Sequence, residues 1–409
     1  MYGSLMISRC KVIKNTLPAH IAFSQSIETN IDYNLSDSTA QTMTVSELCA
    51  LGNSSIDELS LSYGALMGDQ ALRQAIITFH TDLNTTKESL LTDPLVKKSS
   101  GDFTPVLNEH NVLTFCGAQE ALASVYQHLL QAGDEVVLMT PCYPSLKVMA
   151  ENSGCVVREI SLSALTDWQV NIDSFLPLVN ERTKLIVLNS PHNPSGNIID
   201  SFLAAQLLSL AKQFNCYILA DDVSQASNYN HLPLAHQYLT YSKAIIVSVL
   251  SKSFGLAGVR VGWVVCQDKA LIQGLLAVKC YGSICCSAVD LFLAKIALNH
   301  HQIIISKNNL ITQNNIILCE NFINTNSDLF SWHPPKAGML AIVKCHFEQP
   351  IEQWARELAK VTGVLLLPTS LFGMPGQYFR LGLGQANLFQ ALQAVQVYLN
   401  STSNCLDES

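Results

Sequence analysis

The feature that most constrains this chain is a series of short apolar runs, each separated from the next by a longer amphipathic or polar stretch. VLTF (112–115), EVVLM (135–139), KLIVLN (184–189), CYILAD (216–221), AIIVSVL (244–250) and VGWVVC (261–266) are apolar almost throughout. A strand that lacks polar alternation has to be covered on both faces. Between these runs, Gln119 to Gln131, Leu146 to Ser153 and Ser201 to Phe214 repeat apolar residues at helical spacing. Strand and helix in alternation predict an α/β domain whose mostly parallel sheet lies between helices. Ligands of such sheets sit beyond the carboxyl ends of the strands, so the polar clusters that follow each run are the ones to read.

The remainder of the chain has a different texture. Residues 87–109 are mostly polar and read as an exposed insertion. From about Ala288 the pattern becomes a long helix followed by short mixed elements, including MLAIVKC (339–345) and YFRLGL (378–383). Residues 1–60 carry no sheet-forming run, so they are expected to pack with the C-terminal part. The expected division is an N-terminal segment 1–60, a large ligand-binding domain 61–287 and a smaller α+β domain 288–409 built with the N-terminal segment. A chain of 409 residues, 48% hydrophobic and 14% charged, is long and apolar enough for two cores. The net charge is −8 and no basic run tracks a phosphate backbone, which argues against nucleic acid as a partner. The apolar stretch 271–305 is interrupted by Lys279, Asp290 and Lys295, which suits a packed helix rather than a membrane span. The N-terminus lacks the apolar core of an export signal. Thirteen cysteines, an odd number with no CxxC, read as reduced thiols of a cytoplasmic protein and give no spacing for a metal site.

Five clusters follow the strands or border them. In VLSKSFGLAGVRVGW, Lys252 ends an apolar strand, and small residues lead to Arg260. A desolvated lysine amine is a nucleophile toward carbonyls, and a guanidinium grips phosphate with two parallel bonds. NSPHNPSG (189–196) is a rigid turn able to fix the Asn193 amide; His192 within it reads as structural. ILADDVS (218–224) puts Asp221 at a strand end, where a buried carboxylate could keep a heterocyclic nitrogen protonated. TFCGAQEAL (114–122) is a strand–glycine–helix junction, whose free N–H groups suit a phosphate. PCYPSL places Tyr143 in a loop, with a face available for stacking. Each cluster taken alone has a bland reading: a loop lysine, an Asn-Pro turn, an acidic helix cap, an ordinary α/β junction, a partly buried tyrosine.

Their order along the chain resembles the class I/II aminotransferases, PLP-dependent enzymes of fold type I. The motif S-x-S-K-x-F-x-x-x-G-x-R-x-G is matched at Ser251, Lys252, Phe254, Gly258, Arg260 and Gly262, and the matched span runs from about Leu61 to Gly384. The resemblance implies a seven-stranded, mostly parallel sheet, pyridoxal 5'-phosphate as cofactor and Lys252 as the lysine that binds it as a Schiff base and serves as general base. It implies a phosphate cup of Gly117, Ala118, Gln119, Ser251 and Arg260, ring stacking by Tyr143, and ring contacts by Asn193 and Asp221. Arg380, in FGMPGQYFRLGLG, would bind the substrate α-carboxylate together with Asn193. Tyr63, in LSYGALMGDQALRQA, would reach the phosphate of a neighbouring subunit in a homodimer. The activity implied is amino-group transfer between an L-amino acid and a 2-keto acid.

Three positions depart from the family pattern. Asp221-Asp222-Val223-Ser224 has serine where relatives carry a tyrosine, Val249 stands where a serine is usual, and Asn34 to Gln41 replaces the usual Gly/Pro substrate loop. That last stretch, with SELC and LLLPTSLFG, is similar to the capreomycidine synthase branch, where PLP chemistry cyclises an arginine derivative. A lyase, cyclase or oxidase acting on an amino acid is therefore the alternative. A non-catalytic PLP-binding regulator is the minor one, since no basic helix-turn-helix segment precedes residue 60.

Overall fold

A computed structural model of the chain describes residues 17–88, 107–232 and 237–407. The N-terminal segment supplies α1 (Ala19–Gln25), the two-residue β1 (Tyr33–Asn34) and α2 (Val45–Leu51), the last closed by a capping box between Thr44 and Glu47. Then come α3 (Gln70–Glu88), β2 (Val112–Phe115), α4 (Ala118–Leu129), β3 (Glu135–Thr140), α5 (Pro144–Asn152), β4 (Val156–Ser161) and β5 (Thr183–Asn189). The series continues with α6 (Ser201–Gln213), β6 (Tyr217–Asp221), β7 (Ala244–Val249), β8 (Gly262–Val265) and α7 (Lys269–Cys280).

These strands form one seven-stranded sheet in the order β2-β8-β7-β6-β5-β3-β4. Pairing is parallel from β4 through β7, and β8 is antiparallel to both of its neighbours. All six expected strands are present, and the α/β expectation with a mostly parallel sheet holds. The strand period of two sorts side chains onto two cores. Ile186, Leu188, Ile218, Ala220 and Ile246 face one, while Leu185, Val187, Leu219, Ile245 and Val247 face the other. The sheet also contains a strand the sequence reading missed. VVREIS forms β4 at the sheet edge, where only Ile160 is buried, so it carries none of the continuous apolar character of the central strands.

Beyond the sheet, α8 (Ala288–Asn299) and α9 (His301–Thr325) stand where one long helix was expected, separated at His300 with φ −115° and ψ 23°. There follow β9 (Phe330–Trp332), β10 (Leu340–Cys345), α10 (Ile351–Thr362), β11 (Val364–Leu365), β12 (Leu367–Pro368), β13 (Tyr378–Gly382) and α11 (Leu388–Asp407). An antiparallel sheet, β12-β13-β10-β9, and a two-stranded parallel pair, β1-β11, frame a separate core. Phe23 and Leu35 join Trp354, Leu358, Phe379 and Leu392 in that core, whereas Leu48 and Cys49 of α2 pack on the large sheet. Most of the polar stretch 87–109 lies outside the described residues. Among the described residues no helix is long and apolar enough to cross a membrane, no group of three His, Cys, Asp or Glu could hold a metal ion, and the cysteines from Cys49 to Cys345 are free thiols.

Candidate active site

The site forms where the parallel strands end and the N-terminal segment crosses them. Asn189 and Asp221 are the last residues of β5 and β6 and lie side by side in register. The Asn189 amide donates to the Asp221 carbonyl oxygen at 2.9 Å and its Oδ1 accepts from the Asn193 backbone N–H at 2.7 Å. One buried amide therefore sets the turn carrying Asn193 against the strand end carrying Asp221. The Asp221 side chain is 4% exposed and its Oδ1 has no hydrogen-bond partner. Burial raises its pKa to about 6, opposed by the Val223 backbone N–H and by the charge of Lys252.

Lys252 follows β7 in a tight loop. The Lys252 carbonyl accepts from the Gly255 N–H and from the Ala40 N–H, each at 3.0 Å. Gly255 has φ +70°, and a Cβ there would strike the Gln41 carbonyl, so this loop and the strap of residues 36–41 are closely packed. The Lys252 Nζ donates to Ser38 Oγ at 2.6 Å. Burial, then the neighbouring Arg380 and Arg260, lower the pKa of Lys252 to about 8, while Asp37 and Asp221 pull the other way. The residue as a whole is only partly buried, so the desolvation is concentrated at its amino group.

Arg380, in the middle of β13, is buried. Its Nη1 donates to Asn193 Oδ1 at 3.2 Å and its Nη2 to the Ser36 carbonyl at 2.7 Å, with the guanidinium over the Phe372 ring at 4.7 Å. Its Nε is buried without a partner. Burial lowers its pKa to about 10, so it remains a cation.

A second cluster lies at the start of α4. Gly117 caps this helix with φ +89°, and a Cβ there would collide with the Arg260 guanidinium. Arg260 bonds Ser251 Oγ at 3.3 Å and the carbonyls of Ala257 and Cys116 at 3.2 and 3.4 Å. Gly262 lets β8 pass against the Ala118 N–H, which a Cβ would meet at 2.6 Å. The Gln119 amide donates to Ser145 Oγ at 3.0 Å and its Oε1 accepts from the Tyr143 hydroxyl at 3.3 Å. The start of a helix, a guanidinium and a serine hydroxyl are thus brought together, donor types that suit an anion.

Of the residues named from sequence, Lys252, Asp221, Asn193, Arg380, Ser251, Arg260, Gly117, Ala118, Gln119 and Tyr143 thus fall into two adjoining clusters linked through the 251–262 loop. Tyr63 is not brought in: it is 84% exposed on the surface of the single chain. His192 is buried, 2.8 Å from Ser195 Oγ through its Nδ1, and burial lowers its pKa to about 4, consistent with a structural place. The resemblance puts the stretch Asn34 to Gln41 at the substrate loop without giving Ser36, Asp37 or Ser38 a role, and the sequence reading missed Asn189 and His20. Ser38 and Lys252 are separated by 214 positions, and no local spacing carries such a contact.

Comparison with known proteins bears on the family and the fold. Residues 33–395 match the family model described as aminotransferase class I and II. Capreomycidine synthase of Streptomyces vinaceus is 28% identical over 346 residues, 83% of this chain and 82% of that protein. A PLP-dependent aminotransferase from Streptococcus suis superposes with a TM-score of 0.82 at 24% identity, over 95% of this chain and 98% of its own. The PLP-dependent cyclase OrfR gives the same TM-score and coverages at 22% identity, a likeness of fold. With the fold, the strand-end residues and the family model in agreement over most of its length, the chain belongs to the class I and II aminotransferase family, has the fold-type I architecture, and takes pyridoxal 5'-phosphate as cofactor.

Proposed function

We propose that this chain is an aminotransferase that moves an amino group between an L-amino acid and a 2-keto acid, with Lys252 holding the cofactor. The observation that carries the reading is the Asp221 carboxylate, buried at a strand end with Oδ1 unpartnered and within electrostatic reach of a desolvated Lys252. An orphaned carboxylate oxygen is costly to bury and suits a heterocyclic N–H that would satisfy it. The open start of α4, with Ser251 and Arg260, suits a phosphate, and the Tyr143 face suits an aromatic ring.

The cofactor, when bound, supplies an electron sink for the pair left behind when a substrate Cα–H bond breaks. The rest falls to the protein. Asp221, with its buried unpartnered Oδ1, would hold a proton on a heterocyclic nitrogen of the bound cofactor. Arg380 presents a planar fork to the substrate α-carboxylate, and Asn193, already bonded to it, orients that fork. Lys252 Nζ, neutral at little cost because its pKa is lowered to about 8, would accept the proton from the substrate Cα and hold it for return. Ser38 Oγ, which now accepts from that nitrogen, gives it a polar resting place. We further place Tyr63 of the partner subunit at the phosphate cup of a homodimer. The support is that Leu61 (82%), Tyr63 and Tyr281 (96%), large and apolar, are each exposed on the isolated chain.

A second reading is kept because particular observations favour it. The likeness to capreomycidine synthase spans most of both chains, and Ser224 stands where the family pattern carries a tyrosine. Under that reading the same residues serve a cyclase, lyase or oxidase. Single-turnover incubation with amino acids separates the two. Conversion of the bound cofactor to its pyridoxamine form with release of keto acid supports transfer. Ammonia release or a cyclised product without that conversion supports the alternative.

A further inference from the structure

We propose that Trp168 is a positioning residue for the substrate carboxylate, bracing the strand that carries Arg380 against the turn that carries Asn193. This rests on the reading of Arg380 and Asn193 given above. Trp168 lies in the connection between β4 and β5 of the large sheet, yet it is buried against side chains of β10 and β13. Its ring meets the Tyr378 ring edge-on, with centroids 6.1 Å apart, and it shares a small apolar cluster with Ile342 and Met374. Ile342 and Arg380 are cross-strand partners in the β10–β13 pair, and Tyr378 lies two residues before Arg380. Residues so related share one face of a sheet. The alternate residues Ala341, Val343, Phe379 and Leu381 fill the smaller core, so Tyr378, Ile342 and Arg380 face away from it, on the side where Trp168 packs.

The loop is also tied to the Asn193 turn. The Asn197 side-chain amide donates to the Asp167 carbonyl oxygen, and the Asn197 carbonyl accepts from the His192 N–H at 2.7 Å. Asn193 Oδ1 accepts from Arg380 Nη1 at 3.2 Å. The contacts therefore close on themselves, from Arg380 through Asn193 and Asn197 to Asp167 and Trp168, and back through Ile342 and Tyr378. Asp167 and Trp168 reach this place in the left-handed region, with φ +51° and +60°, a conformation that a bulky side chain rarely adopts. Strain of this kind persists only where the surroundings enforce it, here through the Trp168 N–H bond to the Ser163 carbonyl at 2.8 Å and the packed indole. A guanidinium that grips a carboxylate by two parallel bonds needs its angle fixed as well as its position. Trp168 acts on that angle through β13 and the Asn193 turn, without touching the carboxylate.

The test uses the holoenzyme and two oxyamines, aminooxyacetate and methoxyamine, of which only the first carries a carboxylate. Either one displaces the lysine amine from the cofactor to give an oxime, and loss of the visible band gives the rate. Trp168→Ala should slow the reaction of aminooxyacetate by about tenfold and leave that of methoxyamine unchanged. Trp168→Phe, which keeps an aromatic brace, should recover most of the difference. Arg380→Lys should slow aminooxyacetate by itself, and adding Trp168→Ala to it should cost little more, because both changes act on one contact. Should Trp168→Ala not retain the visible band, Tyr378→Leu, which removes the ring that Trp168 meets, carries the same expectation. Equal slowing of both oxyamines, no slowing of either, or effects of Trp168→Ala and Arg380→Lys that multiply in the double variant would overturn the proposal and leave the reading of Arg380 standing. A full aminooxyacetate rate in Arg380→Lys would overturn that reading, and this proposal with it.

Discussion

Replacing Lys252 with methionine should make the cofactor-free protein more stable near neutral pH, although it destroys the residue assigned to chemistry. Burial and the neighbouring Arg380 lower the lysine from its ordinary value to about 8. The folded state therefore binds this proton more weakly than the unfolded chain does. Stability is lost as pH falls from the unfolded value toward about 8, and the full loss is present below it. With an unfolded value near 10.4 and 1.36 kcal/mol per unit, the ammonium costs the fold about 3 kcal/mol at pH 7 and under about 1 kcal/mol at pH 10. The partial exposure of the residue makes these upper bounds. Methionine removes the charge at similar volume, and losing the Ser38 bond takes back about 1 kcal/mol. The net expectation is about 2 kcal/mol of stabilisation at pH 7, vanishing by pH 10. Urea unfolding of the two apoproteins, followed by tryptophan fluorescence at both pH values, measures the difference. A variant less stable than wild type at pH 7, or a gap that does not shrink on raising the pH, would refute the reasoning that Lys252 is a desolvated amine.

Three further perturbations test other parts of the site. Gly117→Ala puts a Cβ into the Arg260 guanidinium at a φ of +89°, so cofactor affinity should fall by tenfold or more in equilibrium dialysis, while far-ultraviolet circular dichroism is preserved. Arg380→Lys exchanges a fork for a point charge, and kcat/KM should drop by about ten- to a hundredfold with the visible spectrum of the bound cofactor intact. Sedimentation should show a dimer, and Tyr63→Phe should weaken cofactor binding by about tenfold with that dimer unchanged; a monomeric, fully loaded enzyme would contradict the placement of Tyr63.

How much of this was legible in the sequence follows from where each residue sits. Asp221, Asn193 and Lys252 close apolar strands or begin the turns that leave them, so a strand pattern alone marks their neighbourhood as the carboxyl end of a sheet. Gly117 and Arg260 were legible for a related reason, since a strand–glycine–helix junction and a glycine-rich loop are local signals. β4 was not, because an edge strand with exposed side chains loses the apolar continuity that marked the others. The break at His300 was hidden because α8 and α9 are both apolar on their buried faces and no proline or glycine separates them. Least legible were His20 and the particular partners of Asp37 and Ser38, although the resemblance puts residues 34–41 at the substrate loop. These residues belong to short elements without periodicity; β1 pairs with β11, Arg380 ties Ser36 to β13, and the Ala40 N–H and Ser38 hydroxyl meet Lys252. Contacts across hundreds of positions have no signature in spacing.

The central claim is that Lys252 holds the cofactor. Borohydride reduction of the purified enzyme followed by peptide mass spectrometry tests it most directly. The account predicts a phosphopyridoxyl mass on the peptide containing Lys252, and loss of both that adduct and the visible absorbance in Lys252→Ala. An adduct on another lysine, or visible absorbance that persists in Lys252→Ala, would contradict it.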